Sequence, residues 1–451
     1  MTYDLVVRAA TAVTPDGAGP RAIGVRDGVI TAVEDLDSAI AEDARLVVDL
    51  QDDEVLMPGL VDTHVHINDP GRSDWEGFSS ATRAAAAGGI TTLVDMPLNS
   101  IPPTCDVAAL HLKQQTARPQ VHVDVGFWGG AVPANLGTLR ELHEAGVLGF
   151  KCFLLHSGVD EFPHLDADQL GAAMDEIAGF DGLLIVHAED AETIDHAPPA
   201  RGAGYRTFLA SRPREAENLA IAQVIDEARR SGARTHILHL SSSDAIPMIR
   251  SARRDGVRLS AETCPHYLVL TAEDVPDGAT QFKCCPPIRE ADNRDRLWAA
   301  LGAGDIDFIV SDHSPSTPEL KRPDTGDFGL AWGGISSLQL GLSLVWTEAH
   351  RRGHDLADVA RWMAQAPADR AGLRTKGRLA TGADADFSFF APHDVFTVDA
   401  AQLLHRNAVS PYDGRRLSGT VRQTWLRGTP IFGPRATDTR ARGHLLSRGH
   451  A

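Results

Sequence analysis

The chain has 451 residues, 23% of them charged and 43% hydrophobic, and its 43 Lys and Arg against 61 Asp and Glu leave a formal net charge of −18. This is the composition of a globular protein large enough to bury a sizeable core, which excludes disordered, collagen-like and coiled-coil organisation for the bulk of the chain. The acidic balance argues against nucleic acid or an anionic membrane surface as partner, because both need a basic face. The cysteines (Cys105, Cys152, Cys264, Cys284, Cys285) are odd in number and lack paired spacing, so they are not a disulfide framework. The opening MTYDLVVRAATAV has neither the basic start nor the apolar stretch of a signal peptide. No apolar run reaches the ~18 residues of a membrane span. The expectation is a soluble cytoplasmic protein.

In chain order, residues 1–55 come first and predict short strands. DLVVRAATAV and IGVRDGVITAVED are rich in Val and Ile and broken by Gly, Asp and Pro. From 56 to 375 the pattern changes. Apolar strand-like runs at 56–66, 90–97, 121–130, 149–156, 183–189, 235–242, 257–267 and 307–314 alternate with helical stretches such as DADQLGAAMDEIAG and RPREAENLAIAQVIDEARRSG. Eight β–α units with near-continuous apolar strands predict an α/β fold, a (β/α)8 TIM-like barrel, which takes ~250 residues or more. Strand patterning returns in ADADFSFFAP and GTVRQTWLRGTPIFG. Residues 1–55 and 376–434 therefore predict one small β-sandwich domain made from both termini. The polar, basic segment 435–451 is read as a possible flexible tail, with an oligomer contact as the alternative.

Each central run starts apolar and ends polar, and strand C-termini are where such barrels carry their chemistry. His64 and His66 lie two apart on a strand, so both imidazoles face one side. Such a pair suits a zinc-type cation, although two packed histidines would look the same. His187 ends LLIVHAED and His239 ends THILHLSS. His236 competes with His239, but it lies earlier on the strand and an odd number of residues away, so it faces elsewhere. Asp312 ends DFIVSDHS, where a carboxylate can bind a metal or move a proton. His313 beside it is a weaker candidate. Lys151, in GFKCFLLHSG, is costly to bury as an unpaired ammonium. It is either ion-paired or neutral, and a neutral amine can take up carbon dioxide as a carbamate.

The segments GLVDTHVHINDPG (59–71), WEGFSSATRAAAAGGITTLVDMPLNSIPPT (75–104), GFKCFLLHSGVDEFP (149–163), SDHSPSTPELK (311–321) and FGLAWGGISS (328–337) together resemble the cyclic amidohydrolases of the amidohydrolase superfamily, and within them the allantoinase family. The resemblance implies two divalent metal ions, zinc first, with cobalt, manganese or iron accommodated by the same ligands. It implies His64, His66 and Asp312 as ligands of the more buried ion and His187 and His239 as ligands of the second. Lys151 would be the N6-carboxylated lysine that bridges them. It further implies a metal-bridging hydroxide as nucleophile, Asp312 as general base and acid, allantoin as the small-molecule substrate, and a homo-oligomer, with a tetramer favoured.

Two departures from sister enzymes bear on substrate. Dihydroorotases typically carry an arginine soon after His-X-His, where Ile67-Asn68 stand here, and Arg72 comes too late for that slot. Hydantoinases usually carry a tyrosine where His156 lies. Asn99, Cys285 and Gly334 are candidate substrate contacts, although Asn99 and the Gly333-Gly334 pair could equally serve turns. Cys264 and His266 could line the mouth; Glu262, Trp75 and Ser316 are read as structural or incidental. The alternatives are a hydantoinase or dihydroorotase-like cyclic amidase, and a non-catalytic assembly protein on the same fold. The last has lost metal ligands in related proteins, whereas all six positions are kept here.

Overall fold

The computed structural model describes residues 2–449. Its centre is a ring of parallel strands: Leu60–Val65, Ile90–Asp95, Asp124–Phe127, Phe150–Phe153, Leu183–His187, Arg234–Ile237, Leu259–Thr263 and Phe308–Ile309. The short strand Gly129–Gly130 carries the pairing from the third to the fourth, and a Val65–His313 bridge closes the last onto the first. Each expected apolar run overlaps one of these strands. Every residue of Leu60–Val65 and Ile90–Asp95 is buried. Strands covered on both faces need this continuous burial rather than alternation.

Some of the helices between the strands begin at side-chain caps. Asp106 accepts from the Ala109 N–H, and Asp166 and Gln169 cap each other's backbone N–H. Around the ring, Phe78, Phe127, Phe150, Leu170, Ile221, Trp298 and Trp362 join one core. No helix among the described residues is long and apolar enough to cross a membrane.

The two chain ends build one mixed, eight-stranded sheet. Phe387–Thr397 joins the halves, pairing antiparallel with both Val55–Pro58 and Arg416–Leu426. Leu5, Ile23, Ile30, Leu56, Phe387, Phe389 and Trp425 fill a small core of its own. The strand Val55–Pro58 leads into the first barrel strand through Gly59 alone, so sheet and barrel are joined by a one-residue link.

Beneath the barrel, Lys376 lies between Asp124, Asp384 and Asp386, and Arg427 also pairs with Asp124. The segment read from sequence as a tail runs against this end. Leu445 bridges to Val125, and the His444 N–H donates to Asp124 Oδ1 at 2.7 Å.

Candidate metal centre

The strand ends bring His64, His66, Lys151, His187, His239 and Asp312 to one place, each 6% exposed or less. Ring centroids lie 5.5 Å apart for His64 and His66, 5.3 Å for His64 and His239, and 4.6 Å for His187 and His239. Asp312 Oδ1 lies 3.1 Å from His64 Nε2 and 3.6 Å from His66 Nε2. His239 and Asp312 have positive φ, 36° and 45°. Neither is glycine, so the backbone is strained at both, a feature that concentrates at functional positions.

Carboxylates behind the histidines set their tautomers. Glu262 takes the Nδ1–H of His64 at 2.5 Å and the Nε2–H of His236 at 3.0 Å, because an ionised carboxylate only accepts. Burial works against its charge, but both histidines outweigh burial and hold Glu262 at about 2. The Nε2 of His64 then faces Asp312. Glu189 likewise takes the Nε2–H of His187 at 2.8 Å, leaving its Nδ1 free, and Arg212 grips Glu189 with two nitrogens at 2.9 and 2.6 Å.

The donors fit a bound cation. His64 Nε2, His66 Nδ1 and His239 Nδ1 are buried and have no hydrogen-bond partner. Three buried imidazoles with unmet ring nitrogens, packed around a carboxylate, are stabilised when a cation sits among them. His64, His66 and Asp312 offer ligand atoms within 4.8 Å of one another. Such nitrogen and oxygen donors suit zinc and its neighbours. Lys151 is 1% exposed and forms no ion pair among the described residues; its ammonium lies 5.0 Å from the Phe153 ring. Burial, against the pull of Asp312 and Glu262, lowers it to about 8.

A cavity of about 380 Å³ opens onto this centre. His66, Lys151, His187, His239 and Asp312 line it, as do Asn99, Cys285 and Gly334. Gly334 cannot serve as an amide donor there, because its N–H is used by the Lys283 carbonyl at 2.8 Å. It is glycine for another reason: at φ 126° a Cβ would lie 2.1 Å from the Ser314 carbonyl oxygen. Asn99 adopts φ 67°, and its carbonyl accepts from Arg72.

The competing histidines face other partners. His236 accepts from Ser260 Oγ and donates to Glu262. His313 pairs with Glu76 at 3.0 Å and accepts the Ser337 N–H. His156 sits at the cavity wall, its Nδ1 taking the Gly158 N–H. Arg72 is committed to Glu161 at 2.5 Å. Cys264 and His266 do not line the mouth; they are buried beside Asp312.

Sequence reasoning read Glu262 as structural and did not single out Glu189 or Arg212. Glu189 carried a signal, since it lies two residues after His187. Glu262 carried only its position at the polar end of an apolar run.

The Amidohydrolase family profile matches residues 55–431. An allantoinase from Streptomyces avermitilis is 59% identical over 445 residues, covering 99% of each chain. An allantoinase from Arabidopsis thaliana is 44% identical, covering 93% of this chain and 86% of its own. Among solved structures, the L-hydantoinase of Arthrobacter aurescens superposes with a TM-score of 0.92 at 30% identity, covering 99% of this chain and all of that one.

Proposed function

We propose that this chain, which belongs to the amidohydrolase family, hydrolyses the cyclic amide of allantoin to give allantoate. The 59% identity to the Streptomyces avermitilis allantoinase, spread over 99% of both chains, carries the substrate assignment. The gathering of His64, His66 and Asp312 ligand atoms within 4.8 Å of one another, in a buried cluster with unmet ring nitrogens, supports the reaction class.

His64, His66 and Asp312 would hold one divalent ion, His187 and His239 a second, and a carboxylated Lys151 both. Zinc is the first candidate, with cobalt, manganese or iron as the others. Bound there, the ions supply Lewis-acid polarisation of a ring carbonyl and an activated water.

The side chains do the rest. Burial leaves Lys151 partly neutral near pH 8, so its amine can add to carbon dioxide and lose a proton to give the carbamate. Asp312 is aimed by the Ser314 hydroxyl, which donates to Oδ1 at 2.8 Å. From the cavity wall it can take a proton from the attacking water and return it to the departing ring nitrogen, which an amide requires because nitrogen leaves poorly unprotonated. Arg72 is occupied by Glu161, so no free guanidinium stands there for a substrate carboxylate. That favours a neutral ring over dihydroorotate. The likeness to an L-hydantoinase structure gives plain hydantoins a second claim. A cytoplasmic homotetramer completes the proposal.

The test is the rate of allantoate formation from racemic allantoin, with hydantoin and dihydroorotate in parallel. The protein is loaded with zinc, cobalt or manganese in bicarbonate, with Lys151→Ala as control. Selective turnover of allantoin that disappears in the control is expected. Faster turnover of hydantoin or dihydroorotate would overturn the substrate assignment, and no turnover by metal-loaded protein would overturn the reaction.

A further inference from the structure

Behind Asp312 lie two donors that the reaction leaves unused, Cys264 and His266. The Cys264 thiol, a His266 ring nitrogen and an Asp312 oxygen lie within 4.8 Å of one another, all buried. His266 is 0% exposed, yet neither of its ring nitrogens has a hydrogen-bond partner. An imidazole buried with both polar atoms unmet is costly unless something binds it. The turn that carries the pair is well fixed. Cys264 and His266 flank Pro265 where the short helix Pro265–Val269 begins, and the Tyr267 hydroxyl donates to the Pro286 carbonyl at 2.7 Å. Of the three donors only Asp312 lines the cavity, so a cation arriving from solvent meets it first.

We propose that Cys264, His266 and Asp312 capture a borderline-soft divalent cation of the zinc or cadmium class, and that its capture inhibits the enzyme. Thiolate, imidazole and carboxylate are the ligands such ions favour. Bonds of ~2.0–2.3 Å in a tetrahedral site require the donors to close by up to about 1 Å. The Cys264 S–H bond breaks, a sulfur–metal bond forms, and the proton leaves to solvent. Inhibition follows because Asp312 is drawn away, a consequence that rests on the role proposed for Asp312 above.

The probe is Cd2+ added to the protein carrying its resident ions, with bound metals counted and thiolate-to-cadmium absorption recorded beside allantoin hydrolysis. One Cd2+ beyond the resident ions, thiolate absorption and loss of turnover are expected. Cys264→Ser should abolish the absorption and raise the half-inhibiting Cd2+ concentration by at least about tenfold. Cys264→Ala and His266→Gln, checked for folding by thermal melting, should do the same if serine perturbs the turn. Cys285→Ser should keep the absorption, although Cys285 lines the cavity. Absorption that persists in Cys264→Ser, or one-for-one displacement of a resident ion, would overturn the site. Binding without inhibition would leave the site standing and overturn the inhibition. Failure of the unpoisoned protein to turn over allantoin would count against the proposed function alone.

Discussion

At the start of the third barrel strand, Lys376 Nζ lies 2.5 to 2.8 Å from carboxylate oxygens of Asp124, Asp384 and Asp386, and Arg427 adds a second cation at Asp124. At the strand C-termini, an equally buried polar group leaves His64 Nε2, His66 Nδ1 and His239 Nδ1 without partners, strains the backbone at His239 and Asp312, and gives Lys151 no counter-ion. Both clusters contain sets of donors that could in principle hold a cation. In the lower one an ammonium already fills that place, so each carboxylate has a cationic partner and the cluster ties barrel to terminal sheet. In the upper one ring nitrogens of His66 and His239 find no hydrogen-bond partner among the described residues, a cost the fold tolerates where a ligand is to come. A buried polar cluster is thus read as structure or as site by whether its hydrogen-bonding capacity is closed within the chain.

The comparison breaks most visibly at Asp312. Asp312→Asn should lower allantoin hydrolysis by on the order of 10⁴-fold. It should leave the urea midpoint nearly unchanged, since the upper cluster contributes little to the fold. A comparable loss of stability would mean that this cluster is structural after all. Lys376→Met should do the reverse. It strands buried carboxylates and should cost about 3–5 kcal/mol in urea unfolding, while activity per folded molecule persists. Normal stability of that variant would remove the distinction from the other side.

Between these extremes lies Glu262, which belongs to the support of the upper cluster. Glu262→Gln replaces an acceptor shared by His64 and His236 with an amide that can accept from only one of them. Metal affinity, read by competition with a chelator, should weaken about 10–100-fold with the fold intact. Unchanged affinity would show that the tautomer of His64 is set elsewhere.

These residues also mark how far the sequence could be read. The barrel and the six strand-end residues were legible because parallel strands announce themselves as apolar runs that end polar. His239 could be preferred to His236 because side chains alternate along a strand. The partners of those residues were not legible. Glu262 reaches His64 across 198 residues of chain and Lys376 reaches Asp124 across 252, and only closure of the ring makes either pair neighbours. The docking of residues 443–446 was hidden for a similar reason. Polar composition suggests a free tail, but composition does not reveal backbone hydrogen bonds to Val121 and Val125.

The smallest expected effect concerns acid, and it separates buried groups that stay charged from buried groups that stay neutral. Burial opposes the charge on Asp124, but Lys376 and Arg427 outweigh it and keep the carboxyl below its usual range. His143 and His405 are 7% and 5% exposed, and burial lowers both to about 4, helped at His143 by Arg448 and Arg140 and at His405 by His313. Both are neutral bases in the folded state. Between about 6.5 and about 4 the unfolded chain takes up protons that the folded one refuses, so stability falls as pH falls through that window and levels off below it. Each histidine contributes at most about 1.4 kcal/mol per pH unit. At His143 the loss has a structural outlet, because Arg448 donates to its carbonyl and a protonated ring would repel the guanidinium that anchors the chain end. Melting temperature against pH should therefore slope downward towards acid in this range, and His143→Asn should flatten part of that slope. Should the slope survive in the His143 and His405 variants together, another histidine kept neutral by burial, such as His236, would carry it, because Asp124, held low by Lys376 and Arg427, gives up its charge only below about 4.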